Sequence, residues 1–333
     1  MICQMRTVDA VTTANTAPIG DDGVPDHTGA LPAALSPSRA GDYNTCPRLF
    51  YYKTILGLDS PPTAATLKGN LVHAVAETLF DRPEHDWTVQ TAIAMIPDVW
   101  NAMRTPAPAA PQSSEADSVR AQRAQAAAQV AATVVPVGSR AEEQLLAGAQ
   151  ESLRNWFSIE NVAAADPRNV TLPDGSVIDG REIHVQAVVG GVPVHGFIDR
   201  LNDYVAGTHR HWVITDYKTG RKPGPRYQQK AFFQLRLYAA AFSVTFGRSP
   251  DWLRLVYTTS TDRVNGILQV AVTDTVLQRA EQEIGDVWRR ISASARTRTW
   301  PTSTGPLCAH CYFQQQCPAW APQIASLPDG QVA

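Results

Sequence analysis

The placement of its cysteines is the feature that most constrains this chain. Three of the five crowd into CAHCYFQQQCP near the C-terminal end as Cys308, Cys311 and Cys317. Cys3 lies in a Thr-, Ala-, Asp- and Pro-rich tail, so only Cys46 remains as a fourth thiol in a segment that reads as ordered. An odd, clustered set fits a secreted disulfide framework poorly and an intracellular metal site well. Four thiolates complete a closed site, which leaves His310 as a surface residue. Zinc and a 4Fe-4S cluster both accept four cysteines, but zinc knuckles usually come as two pairs, so a triplet plus one distant residue favours the cluster. Such a bond would fasten segments far apart in the chain and restrict the unfolded state strongly. Thiols gathered by chance are the plain alternative.

A chain of 333 residues, 44% of them hydrophobic, can bury a sizeable core as one elaborated domain or two small ones. The net charge of -2 gives no global basic footprint, so any nucleic-acid contact must be local. No apolar run approaches the roughly 20 residues of a membrane span, and the first residues lack a secretory signal pattern. The expectation is a soluble, cytoplasmic protein with no membrane partner. Residues 1–34 read as a disordered tail, and 35–333 as one domain with an Ala/Pro-rich insertion at about 104–138.

Periodicity supplies the elements. Pro47, right after Cys46, marks a helix start or break, and a helix is expected from about Lys68 to Phe80. Ser139 and Glu142 fit a capping box opening a helix to about Ile159, with Leu145, Leu146, Leu153 and Trp156 turned inward. The pattern then alternates. Strands are expected over Glu182 to Val189, Val192 to Leu201 and His211 to Lys218, the first two joined by Gly190-Gly191. A helix from Arg226 to about Phe246, strands over Trp252 to Thr259 and Ile267 to Val272, and a helix from Asp274 to Ser294 complete an α/β mixed sheet flanked by helices.

Alternation puts Asp216 and Lys218 on one face of the third strand with Trp212 and Ile214, and Val213, Thr215 and Tyr217 on the other. A turn centred near Gly207-Thr208 would set Asp199 opposite Asp216. Opposed like charges destabilise a strand pair, and a divalent cation such as Mg²⁺ or Mn²⁺ between them explains the arrangement. Such an ion polarises a phosphoryl oxygen and acidifies a bound water, with Lys218 placed to orient or deprotonate that water. His73, on a helix, could add a nitrogen ligand. On charge pattern alone the same residues also read as surface aspartates beside a solvated lysine. Arg226, Lys230, Gln234 and Tyr238 recur at helical spacing and, with Arg221 and Lys222, offer a local basic edge for a DNA backbone; an amphipathic helix with a wet face is the plain alternative.

Taken together, YNTCPRLFYYK, GNLVHAVAE, GFIDRLND, VITDYKTG, QLRLYA and CAHCYFQQQCP, in that order from Tyr43 to Pro318, resemble the RecB-like exonuclease branch of the PD-(D/E)xK nuclease superfamily in its iron-sulfur form. The AddB nuclease domain and the CRISPR-associated RecB-like exonucleases are similar. The resemblance implies a restriction-endonuclease-like core. It implies that His73, Asp199 and Asp216 bind the metal with the Tyr217 carbonyl, that Lys218 is the catalytic lysine, and that Gln234 and Tyr238 form the glutamine-tyrosine motif. It also implies that Cys46, Cys308, Cys311 and Cys317 hold a 4Fe-4S cluster stapling the N- and C-terminal segments. Arg200 follows the metal-binding aspartate as in that family. Glu182 matches a glutamate that members often carry before the hairpin, but hairpin geometry places it away from the metal. The expected function is Mg²⁺- or Mn²⁺-dependent hydrolysis of single-stranded or frayed DNA ends in repair or recombination, with a helicase or repair partner left open. The alternative is a non-catalytic DNA-binding or assembly subunit stabilised by the cluster.

Overall fold

A computed structural model describes residues 29–58, 60–105 and 133–320, so most of the expected tail and insertion lies outside the described residues. Helix α1 (Pro37–Thr45) ends at Cys46, and Pro47 opens the short α2 (Pro47–Phe50), which runs into a π-helical turn over Tyr51–Ile55. Helix α3 (Ala64–Leu79) begins one turn before the expected Lys68, because the Thr63 hydroxyl caps it by accepting from the Thr66 amide. Helix α4 (Val89–Arg104), which no sequence expectation covered, precedes α5 (Arg140–Ile159). Ser139 caps α5, but Glu142 completes only half of the capping box: its carboxylate accepts from the Gly138 amide and Trp100 Nε1 instead of reaching back to Ser139.

A small hairpin, β1 (Val170–Thr171) and β2 (Val177–Ile178), leads to the main five-stranded sheet. Its strands are β3 (Arg181–Val189), β4 (Val192–Ala206), β5 (His209–Lys218), β6 (Trp252–Tyr257) and β7 (Ile267–Ala271), adjacent in sequence order. Gly190 and Gly191 both take positive φ, as the tight hairpin expected there demands. The β5–β6 pair is parallel and the others antiparallel, so the sheet is mixed as expected.

The crossover between β5 and β6 carries α6 (Pro225–Ala231) and α7 (Phe233–Phe246). The single helix expected from Arg226 is thus interrupted at Phe232. Arg236 supplies a physical reason: its guanidinium takes the Gln229 carbonyl, which would otherwise accept an amide of the continuing helix, while gripping Glu283 with two further bonds. The stripe expected on one helix is therefore divided, with exposed Arg226 and Lys230 on α6, and Gln234 and Tyr238 on α7. After the short α8 (Arg263–Gly266), the long α9 (Asp274–Thr297) closes the fold.

Each face of the sheet has its own core. Trp212, Ile214, Leu253 and Leu255 pack with Leu235 of α7, Ile284 of α9 and Tyr43 of α1. On the other face Tyr217 and Val256 pack with Leu71 of α3, Ile96 of α4 and Trp156 of α5. No described helix is long and apolar enough to cross a membrane.

Candidate active site

Strand β4 pairs with β5 from Ala206↔His209 to Arg200↔Thr215, the register that a turn at Gly207-Thr208 predicts; continued by one residue it sets Asp199 opposite Asp216. The Tyr217 amide lies 3.4 Å from Asp199 Oδ2. Asp216 is 2% exposed, and its Oδ2 lies 2.6 Å from Lys218 Nζ, yet that oxygen has no aligned hydrogen-bond donor. Burial pushes the Asp216 carboxyl up to about 6; the Asp199 charge adds to this, and Lys218 and His73 oppose it.

His73 reaches the same place from α3. Its Nδ1 lies 3.2 Å from Asp199 Oδ2 and its Nε2 2.9 Å from the Tyr217 carbonyl oxygen. Burial alone would lower its pKa, but the Asp199 hydrogen bond and charge, with Asp216 and the Tyr217 carbonyl, push it up to about 8. Gly69 lets α3 approach the end of β5 closely, since a Cβ there would lie 3.1 Å from Oγ1 of Thr219, the residue after that strand. Helix α7 adds the remaining expected side chains: Lys218 Nζ donates to Gln234 Oε1 at 3.3 Å, and Gln234 Nε2 donates to the Tyr238 hydroxyl at 3.3 Å. Burial pushes the Tyr238 phenol up to about 12, so it stays protonated.

The structure thus gathers His73, Asp199, Asp216, Tyr217, Lys218, Gln234 and Tyr238 at the end of β5 where the chain leaves the sheet. Among the described residues no group of three His, Cys, Asp or Glu side chains is close enough to cage a metal ion. The donor chemistry nevertheless fits a hard divalent cation: two carboxylates, one with an unaligned buried oxygen, a backbone carbonyl and an imidazole.

Glu182 is placed differently from expectation. It lines a pocket with His73, Glu77, Asp199 and Tyr217. Continued register between Arg181↔Arg200 and Ile183↔Ile198 puts it across from Asp199, and its φ of 47 is in the left-handed region. The inside-outside alternation slips at this pair. Ile183 and Ile198 belong to the α7 core, whereas Arg181 bonds the Glu77 carbonyl of α3 and Asp81 in the turn after it, and Arg200 bonds Glu160 and Tyr217. Regular strand geometry cannot anticipate this, because the backbone rotates at Glu182. Glu77, one helical turn after His73, also lines the pocket; burial raises its pKa, Arg181 opposes this, and Asp81, Asp179 and Asp199 add to it.

The four described cysteines, Cys46, Cys308, Cys311 and Cys317, are free thiols, all partly buried. Cys46 Sγ accepts from the Ser303 amide and Cys308 Sγ from the Gly305 amide, each at 3.4 Å. Burial raises the pKa of the Cys311 thiol, the Phe313 backbone hydrogen bond opposes this, and the charges of Cys317, Cys308 and Cys46 add to the rise. They do not form a closed cage, and the iron-sulfur staple is not shown.

A mixed sheet that brings paired aspartates and a lysine together beside a helical histidine is an arrangement suited to metal-assisted phosphodiester hydrolysis. The chain belongs to the PD-(D/E)XK nuclease superfamily, which it matches over residues 34–318. A crystal structure of a candidate exonuclease from Eubacterium rectale is similar in outline, with a TM-score of 0.47 at 10% identity over 90% of this chain and 91% of that one. No curated protein matches the chain.

Proposed function

We propose that this protein is a divalent-metal-dependent DNA exonuclease of the RecB-like type. The reading rests on one observation: His73 meets Asp199 and Lys218 meets Asp216 where the β4–β5 register sets the two aspartates opposite each other. In this reading His73, Asp199, Asp216 and the Tyr217 carbonyl hold Mg²⁺ or Mn²⁺, which when bound polarises the scissile phosphate and acidifies a water. Lys218, beside Asp216, would orient the attacking water through its ammonium. Gln234 orients the Lys218 ammonium through its Oε1, and Tyr238 holds Gln234 in turn. Exposed Arg226 and Lys230 on α6 give the basic edge for a phosphate backbone. Cys46 and Cys308 place their sulfurs against the same segment, 303–305, and with Cys311 and Cys317 they would supply the four thiolates of a 4Fe-4S cluster joining the α1–α2 and post-α9 segments. Single-stranded or frayed DNA is the substrate, which places the enzyme in repair or recombination.

The experiment is hydrolysis of end-labelled single-stranded and duplex DNA with Mn²⁺. The native chain shortens DNA from its ends, and Asp216→Ala abolishes this while the protein stays folded. Retained cleavage in that variant would remove the assignment.

A further inference from the structure

The β3–β4 hairpin has two unlike faces. One carries Val185, Val189, Val192, Val194 and Ile198 into the core against α7. The other is open and aromatic. His184 stands opposite Phe197 in register, and their rings lie 4.9 Å apart at a tilt of 31°. The His195 ring follows at 6.5 Å from His184. Phe197 is 43% exposed, and His184 is exposed as well.

A single exposed apolar side chain is ordinary, but here the Phe197 ring lies in contact with the His184 ring, and the two present one aromatic surface. Its position relative to the carboxylates suggests a ligand. Phe197 lies two residues before Asp199 on β4, and His184 two residues after Glu182 on β3, so the rings lie next along the strands to the pair where the alternation slips, about 7 Å of strand away. Positive charge lies alongside: Leu35 pairs with β4, its amide donating to the Pro193 carbonyl and its carbonyl accepting from the His195 amide, and Arg39 Nη1 donates to the carbonyl of the preceding Ala34. Aromatic rings beside a cation, leading to a phosphodiester site, match the base faces and backbone of a single strand. A duplex keeps those base faces stacked on one another and offers only its terminal pair.

We infer that the open face of the β3–β4 hairpin, centred on Phe197 and His184, is a stacking platform that holds the bases of single-stranded DNA next to Asp199 and Asp216. The inference rests on the nuclease reading and names how that site takes its substrate.

The test uses the full chain and its Phe197→Ala, Phe197→Trp and His184→Ala variants. Binding of fluorescein-labelled oligo(dT) and of a duplex closed by hairpins at both ends is followed by anisotropy in EDTA, and hydrolysis of bis(4-nitrophenyl) phosphate with Mn²⁺ is measured in parallel. Phe197→Ala is expected to weaken oligo(dT) binding by about 5- to 150-fold, the span of one stacked base. His184→Ala weakens it in the same direction. Phe197→Trp keeps native binding, and closed-duplex binding and small-diester hydrolysis are unchanged in all three. Unaltered oligo(dT) binding in Phe197→Ala, or an equal loss for the closed duplex, overturns the platform. A native chain that hydrolyses neither DNA nor the small diester, yet binds oligo(dT) through Phe197, would sink the nuclease reading and leave the platform standing.

Discussion

Arg200 and Glu160 lock together behind the paired aspartates: one guanidinium nitrogen, Nη2, reaches both carboxylate oxygens, at 2.8 and 3.0 Å, with both residues buried. Arg200 is the residue after Asp199, and its Nη1 donates to the hydroxyl of Tyr217, the residue after Asp216. A single buried ion pair therefore holds both strands at the positions next to the carboxylates. Trp156 Nε1 donates to the same glutamate at 2.8 Å. Removing one member of such a pair leaves an uncompensated buried charge, so Glu160→Gln is expected to lose about 3–5 kcal/mol of stability. Urea denaturation measures it, and a loss below about 1 kcal/mol would show that the pair is dispensable.

The same glutamate predicts an acid limb. Burial raises its pKa, but the Arg200 charge and hydrogen bond, with Trp156 and Arg254, outweigh burial and hold the carboxyl below its ordinary 4.5. The unfolded chain then binds the proton at higher pH than the folded one, so this contribution is complete above about pH 4.5 and is lost as pH falls through the folded value. Urea midpoints measured from pH 7 down to pH 3 should fall more steeply for the native chain than for Glu160→Gln. Parallel profiles would contradict the assignment.

The central strands were legible because their periodicity is regular. Asp199 faces Asp216 by simple symmetry about Gly207-Thr208, and no side-chain contact was needed to see it. Glu182 was misplaced because its left-handed backbone breaks the alternation on which that reading depends. Glu160 was invisible for another reason: it is the residue just past the end of α5 and carries no motif, and it meets Arg200 only through tertiary packing. The break at Phe232 likewise depends on Arg236 turning back to the Gln229 carbonyl, a competition that helical spacing does not encode.

Gly196 makes room for Tyr238. A Cβ at this position would lie 2.5 Å from Tyr238 Cε1, and that ring is 6% exposed, so it has little room to retreat. Gly196→Ala is expected to cost about 1–3 kcal/mol by overpacking and to slow hydrolysis by moving the phenol off Gln234. In a Tyr238→Ala background the same change should cost much less, which a double-mutant cycle reads as coupling. Additive costs would mean that the two residues do not meet.

The thiols give the last prediction. Cys46 lies between α1 and α2, whereas Cys308, Cys311 and Cys317 follow α9, so a cluster held by all four closes nearly the whole chain into one loop. Closing so long a loop stabilises the native state chiefly by restricting the unfolded one, on the order of the 2–4 kcal/mol typical of a covalent cross-link. Packing already brings the two segments together: the Tyr52 hydroxyl donates to the Gln316 carbonyl at 2.7 Å, and its ring lies 5.2 Å from Phe313. Cys308→Ser should therefore leave a protein that folds but melts earlier. Anaerobically purified native protein should be brown, with broad visible absorbance that the variant lacks. Colourless native protein carrying stoichiometric zinc would replace the cluster with a zinc site, and equal melting of the two proteins would show that nothing bridges the four sulfurs.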